Sequence, residues 1–298
     1  MGLIVLSVLV ISSLLVSLMR HLRPQGNFSE LIARIKGWWI MAAVFFGALA
    51  VSNRISLVFF GFLSFWALKE YITLLKTRSA DHRALVWAFL AVPIQYYWVA
   101  IHWYGMFIIF IPVYMFLFLP VRLVLARETA GFVASASQLQ WGLMAFVFGL
   151  SHLAMLLTLP SIDNSNGRTL LLFLVFVVEM SDVLQFVWGK TLGRHKIIPA
   201  VSPNKTWEGF LGGILTTSLL ALLLRFLTPF TPLETIGVAL LLTVAGFFGG
   251  AVMSAVKRDF GVKDFGGLIP GHGGMLDRVD SLCYAAPVFF HYLHYFHY

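Results

Sequence analysis

Apolar residues fall along this chain in long runs separated by short polar islands. A helix needs about 20 mostly apolar residues to cross a bilayer. Ten runs approach that length: 2–19, 37–53, 55–75, 84–101, 103–121, 139–159, 169–189, 209–227, 234–253 and 281–297. The pattern predicts an all-α, polytopic integral membrane protein of about ten transmembrane helices. The first and last runs are the most ragged. The polar stretch SIDNSNG at 161–167 reads as a short outer connector. No internal repeat, low-complexity linker or soluble domain stands out.

Composition agrees. The chain has 298 residues, 59% of them hydrophobic and 11% charged, with mean hydropathy +0.87. Soluble domains are nearer half apolar and about a quarter charged. A single cysteine, Cys283, excludes an internal disulfide, and no Cys/His set has zinc spacing.

The net charge of +8 invites a nucleic-acid reading. The bases, however, are scattered between apolar runs, so topology and anionic lipid explain them better and no nucleic-acid partner is expected. Loops 20–36, 69–83, 122–131, 189–208 and 254–280 hold 18 of the 21 Lys and Arg. Only Arg54, Arg168 and Arg225 remain for the other side. This asymmetry predicts that those five loops are cytoplasmic and both termini outside, in the cell (inner) membrane. The N-terminal run lacks a basic segment before it, so it reads as an anchor and not as a cleaved signal.

Candidate chemistry gathers late in the chain. Glu179 and Asp182 stand three apart on one helical face inside an apolar run. An acid there costs about 2.5–3.5 kcal/mol on insertion scales, so it serves a function or bonds a neighbouring helix. The next loop reads GKTLGRHKIIPAVSPNKTWEG, 189–209. Ser202-Pro203 looks like a helix start, whose free N–H groups favour an anion. Lys205 and Thr206 would add a charge and a hydroxyl. An ordinary capped helix with topological lysines explains the same residues.

The last loop, KRDFGVKDFGGLIPGHGGMLDRVDSL at 257–282, carries eight charges in 26 residues. Gly271, His272, Gly273 and Gly274 can turn successive N–H groups towards an anion. Asp277 and Asp280 face the same way on a helix and suit a shared hard cation. Arg278 and the lysines suit phosphate oxygens. His272 fits either a carboxylate-orienting or a phosphate-bonding role.

The run from Ser254 to Asp280, with its KR…KDFG…PGHGG…DR.D pattern, resembles the signature of phosphatidate cytidylyltransferases, the CDP-diacylglycerol synthases. SPNKTWEGFLGG, preceded by GKTLGRHK, resembles the family's second block, and the specific likeness covers about residues 182–290. The resemblance implies Mg²⁺-dependent transfer of CMP from CTP to phosphatidic acid or another lipid phosphate, at the cytoplasmic surface. One or two divalent cations would serve, with room for a monovalent one.

By the same resemblance, Asp277, Asp280 and Asp182 would bind or position metal. Ser202, Lys205 and Thr206 would hold CTP. Lys257, Arg258, Lys263 and Arg278 would meet phosphates, and Asp264 and His272 would shape the reacting centre. Residues 1–168 then form N-terminal transmembrane helices and 169–298 a catalytic transmembrane region. A homodimer is compatible with all of this.

Two departures stand out. The family's Gly-Asp-Leu is matched here to Gly250-Ala251-Val252, without an acid. Its Asp-Ser-Gly-Ala-Tyr is replaced by Asp182-Val183-Leu184-Gln185-Phe186. They point to a divergent member. A non-catalytic binder of lipid phosphate or nucleotide is the alternative, and a transporter is the more distant one.

Overall fold

A computed structural model describes residues 2–22, 28–76, 78, 81–162, 165–268 and 273–298. His272 therefore lies outside the described residues, and its expected role is neither placed nor removed.

The described chain is helical throughout. Helices α1 (Gly2–Leu22), α2 (Ser29–Val51), α3 (Asn53–Leu74) and α4 (His82–Ala100) come first. A fifth rod, Tyr104–Val124, comprises α5 (Tyr104–Ile109), a π-helical stretch (Phe110–Met115) and α6 (Phe116–Val124). A sixth, Phe132–Leu156, comprises α7 (Phe132–Gly142), a second π stretch (Leu143–Gly149) and α8 (Leu150–Leu156). Then follow α9 (Gly167–Thr191), α10 (Trp207–Leu223), α11 (Pro232–Asp259), the short α12 (Leu276–Val279) and α13 (Leu282–Phe296).

The expected ten spans need correction. Seven helices among the described residues are long and apolar enough to cross a membrane. The other three expected spans are helices too, but they fall short for identifiable reasons. α10 has 17 residues and α13 has 15, so neither reaches about 20. α4 carries Pro93, Gln95 and the run Tyr96-Tyr97-Trp98, which dilute its aliphatic content. All three pack against neighbouring helices: α4 on α3, α10 between α9 and α11, α13 on α8 and α11.

Helix boundaries follow local chemistry. Asn166 caps α9 and Thr231 caps α11, each in a reciprocal capping box with the residue three ahead. The centre of the bundle is aromatic, with Phe60, Phe107, Phe146, Phe173, Phe289 and Phe290 fully buried. Lipid is as apolar as these side chains, so close packing and hydrogen bonds hold such helices together. Gly149 shows the packing: a Cβ there would sit 2.6 Å from the Cys283 carbonyl oxygen, so α13 approaches the π stretch at backbone distance. α1 and α2 lie at the periphery, tied to each other by Trp39 Nε1 donating to Ser13 Oγ (3.1 Å).

Interloop bonds sort the connections onto two ends. At one end Arg78 donates to the Ala130 carbonyl and Arg258 Nε to the Val201 carbonyl (3.4 Å). There too, Glu70 near the end of α3 accepts the Met275 and Leu276 N–H groups. At the other end Arg168 Nη2 donates to Asn53 Oδ1 (3.0 Å) and the Tyr298 hydroxyl to the Pro160 carbonyl (2.9 Å). Four of the five charged loops thus share one end of the bundle.

Candidate functional site

The site forms where the C-terminal part of α9, the start of α10, the middle of α11 and the turn before α13 meet. The loop between α9 and α10 is held as a small ribbon. Ile197 N donates to the Lys205 carbonyl (3.1 Å) and Trp207 N to the His195 carbonyl (2.9 Å). Glu208 pins its far side, accepting from Arg194 N (3.0 Å) and His195 N (3.2 Å) and lying 2.5 Å from His195 Nδ1. The Arg194 N–H, then the His195 ring, pull the Glu208 carboxyl down to about 2.

A depressed carboxylate contributes above its unfolded pKa, and its contribution disappears as pH falls through the folded value. Near neutral pH the clasp is therefore complete. Glu208→Gln is expected to speed tryptic cleavage after Arg194 and Lys196 at pH 8. Unchanged cleavage would show that Glu208 does not hold the loop.

The expected helix start at Ser202 is displaced. Ser202 and Pro203 lie in a turn closed by Lys205 N donating to the Ser202 carbonyl (3.2 Å). α10 begins at Trp207, and Thr206 is its cap, accepting from Gly209 N (3.1 Å). Thr206 has the extended backbone and hydroxyl that a cap requires, and it wins because the ribbon ends there. Ser202 does not line the cavity.

That cavity, of about 240 Å³, is lined by Asp182, Gln185, Asn204, Lys205, Thr206, Gly250, Ser254, Asp280 and Ser281, among others. Ser281 Oγ lies 2.6 Å from Asp182 Oδ2 and 3.3 Å from Asp280 Oδ1, so one hydroxyl joins both acids. Ser281 N also donates to Asp280 Oδ1 (2.7 Å). Burial pushes the Asp280 carboxyl up, and nearby Lys257 pulls it back. Lys205 Nζ donates to the Phe247 carbonyl (3.2 Å) and sits 4.1 Å from the centre of the Phe247 ring. Its desolvation lowers the ammonium pKa, opposed by Asp182 and Asp280. Arg278 is within electrostatic reach of Asp280, and its buried Nε lacks a hydrogen-bond partner among the described residues.

Asp277 has bonds of its own. Its Oδ1 takes Lys257 Nζ (3.0 Å), and its Oδ2 takes Phe265 N and Gly274 N, both at 2.9 Å. Asp277 and Asp280, expected to share a cation, bond different groups, although Lys257, paired with Asp277, also acts on the Asp280 carboxyl. No cluster of three or more metal-ligating side chains forms among the described residues.

In the described part of the glycine turn and just after it, Gly274 N bonds Asp277, and the next two N–H groups bond Glu70 at 3.0 and 2.8 Å. Gly273 has φ +80°, which glycine adopts without strain, and a Cβ there would crowd Asp277 and Asp264. Lys263 and Asp264 are exposed, and Arg258 bonds Val201, outside the cavity lining.

Glu70 was not legible as a site residue. It lies in α3, 205 residues before Met275, and only its acidity in an apolar run marked it. Ala251, where the family acid was expected, does not line the cavity, but its neighbour Gly250 does. A Cβ on Gly250 would enter the cavity 3.6 Å from both Lys205 Nζ and Ser281 Oγ, whereas Ala251 is buried in the helix packing.

Comparison with known proteins bears on this geometry. The model of the cytidylyltransferase family matches residues 32–296. An uncharacterised protein of Escherichia coli (strain K12), YnbB, is 39% identical over 290 residues, 97% of this chain and 96% of its own. A phosphatidate cytidylyltransferase of Staphylococcus aureus (strain COL) is 40% identical over 127 residues, 42% of this chain and 49% of its own. One from Staphylococcus epidermidis is 42% identical over 130 residues, with the same coverage. The chain therefore matches about half the length of these enzymes and nearly all of the uncharacterised protein. With a family match that runs from α2 to the end of α13, the chain belongs to the cytidylyltransferase family.

Proposed function

We propose that the protein transfers CMP from CTP to phosphatidic acid, or to a related membrane lipid phosphate, releasing pyrophosphate and a CDP-lipid. The observation that carries this reading is the convergence of Asp182 and Asp280 on Ser281 Oγ, beside Lys205, in one cavity. The name of the staphylococcal relatives, phosphatidate cytidylyltransferase, supports it. The count of Lys and Arg supports a cytoplasmic site in the inner membrane.

Two carboxylates and a hydroxyl suit Mg²⁺, which takes one or two carboxylates and completes its shell with water and phosphate oxygens. Asp182 and Asp280 would hold the ion. When bound, it would neutralise phosphate charge and polarise the phosphorus. The chain itself positions the reactants. Lys205 and Arg278 offer positive charge at either side of the acids, Thr206 fixes the start of α10, and Lys257–Asp277 and Glu70 hold the turn carrying Asp280. An oxygen of the lipid phosphate attacks the α-phosphorus of CTP. The bond to the bridging oxygen breaks, and its electron pair leaves with pyrophosphate. The attacking group is already anionic, so no covalent protein nucleophile is needed, and catalysis is positioning and charge neutralisation.

A second reading, a non-catalytic binder, is favoured by one observation: Gly250 and Ala251 bring no acid to the wall of the cavity, which Gly250 lines beside Lys205 and Ser281. The test is label transfer from α-labelled CTP to phosphatidic acid by the purified protein, with and without Mg²⁺. We expect Mg²⁺-dependent labelled lipid that disappears with chelator. No product from a preparation that still binds CTP would sink the enzymatic reading and leave the binder.

A further inference from the structure

We infer that Gln185 is a binding residue of the cavity, donating its side-chain amide to a phosphate oxygen of the substrate; this rests on the proposed function above. Gln185 follows Asp182 by three residues, so both lie on one face of α9. Gln185 is among the residues that line the cavity with Asp182, Lys205, Asp280 and Ser281. Its Nε2 is buried and has no hydrogen-bond partner among the described residues. An amide donor left in that state is costly, and an apolar side chain would fill the same space without the cost.

Packing fixes the stem. The Gln185 carbonyl oxygen lies 2.7 Å from where a Cβ on Gly209 would stand, and Gln185 Cγ occupies the space left by Gly213. The two glycines of α10 thus clamp Gln185 from its backbone outward.

The ligand's chemistry follows from the donors. An amide N–H donates and cannot accept, so it selects an oxygen acceptor. Lys205 supplies charge but already has one bond to the Phe247 carbonyl. Gln185 supplies a directed neutral donor, and hydrogen bonds to an anionic acceptor are the strong ones. A phosphate oxygen meets both demands. It belongs either to the nucleoside triphosphate or to the lipid phosphate, and binding measurements separate these.

The experiment compares the full-length wild type with Gln185→Met, which removes the donor at similar volume, and Gln185→Glu, which adds a repelling charge. Each protein, in lipid nanodiscs with Mg²⁺, is titrated with CTP and, separately, with increasing phosphatidic acid. We expect Gln185→Met to weaken Kd about tenfold with an equal or raised Tm, and Gln185→Glu to weaken it about a hundredfold. Loss in the CTP arm assigns the bond to the nucleotide, and loss in the lipid arm assigns it to the lipid. Lowering pH protonates the introduced carboxyl, which then donates, so affinity should recover in part. The wild type over the same pH range gives the effect of protonating the native acids, and recovery of the Glu variant beyond it is the expected result. If Gln185→Met fails to fold, the isosteric Glu variant and its pH recovery carry the test. Wild-type affinity of both variants for both ligands would overturn the inference and leave the proposed function standing. A wild type that binds neither ligand would overturn both.

Discussion

Asp280→Asn is expected to lower Mg²⁺-dependent CMP transfer by about a hundred- to thousandfold while leaving the fold intact. Asparagine keeps the side-chain oxygen that accepts Ser281 N at 2.7 Å, so the turn into α13 retains its bond. It removes the charge that faces the same hydroxyl as Asp182. Asp182→Asn should cost a similar factor, and the double variant little more, because the two acids act as one seat. The readout is kcat and KM for CTP across a range of Mg²⁺ concentrations, with Tm measured alongside. Activity within about twofold of wild type at limiting Mg²⁺ would remove Asp280 from the ion seat.

Asp277 makes the contrast. Its loss would leave Lys257 and two backbone N–H groups without their acceptor, so its replacement acts first on folding. Activity loss at Asp277 with a fall in Tm, beside loss at Asp280 without one, is the expected pattern.

The second large effect is expected at Glu70. Its carboxylate accepts Met275 N, Leu276 N and Trp66 Nε1, the last at 3.2 Å. Glu70→Ala would leave three donors unmet in a buried place, at about 1–3 kcal/mol each, and such losses do not simply add. We expect a Tm fall of roughly 5–10 °C in detergent. Amide exchange at residues 273–276 should quicken, and transfer activity should fall as Asp280 loses its support. Glu70→Gln, which keeps one accepting oxygen, should fall between. Unchanged Tm and unchanged protection of that turn would show that α3 does not hold it.

Glu70 also shows where sequence reading stops. The charged turn itself stood out in the sequence because eight charges in 26 residues interrupt an apolar chain. The acids Asp182 and Asp280 were legible for the same reason, and the structure brings them to one hydroxyl. Ser281 went unmarked, because a serine beside an acid is ordinary until a helix 99 residues earlier brings a second acid to it. Asp277 stood out beside Asp280 by spacing, but its bonds to Lys257 and to the Phe265 and Gly274 N–H groups could be read only from the fold. The cap at Thr206 shifted from Ser202 because a cap is chosen by backbone conformation, and the ribbon with Lys196 set that conformation.

What the sequence by itself determined is the class: an all-α membrane protein with its charges at one side and a family signature in its last third. Those features are written in runs of neighbouring residues, since hydropathy and charge asymmetry act locally along the chain. What only the tertiary structure decided is which side chains meet. Among the described residues seven helices have the length and apolarity of spans, because α10 and α13 end early and polar residues dilute α4. The cavity, the role of Glu70 and the clamped Gln185 arise from contacts across helices that lie far apart in the chain. No local pattern encodes such contacts, because close packing between helices sets them.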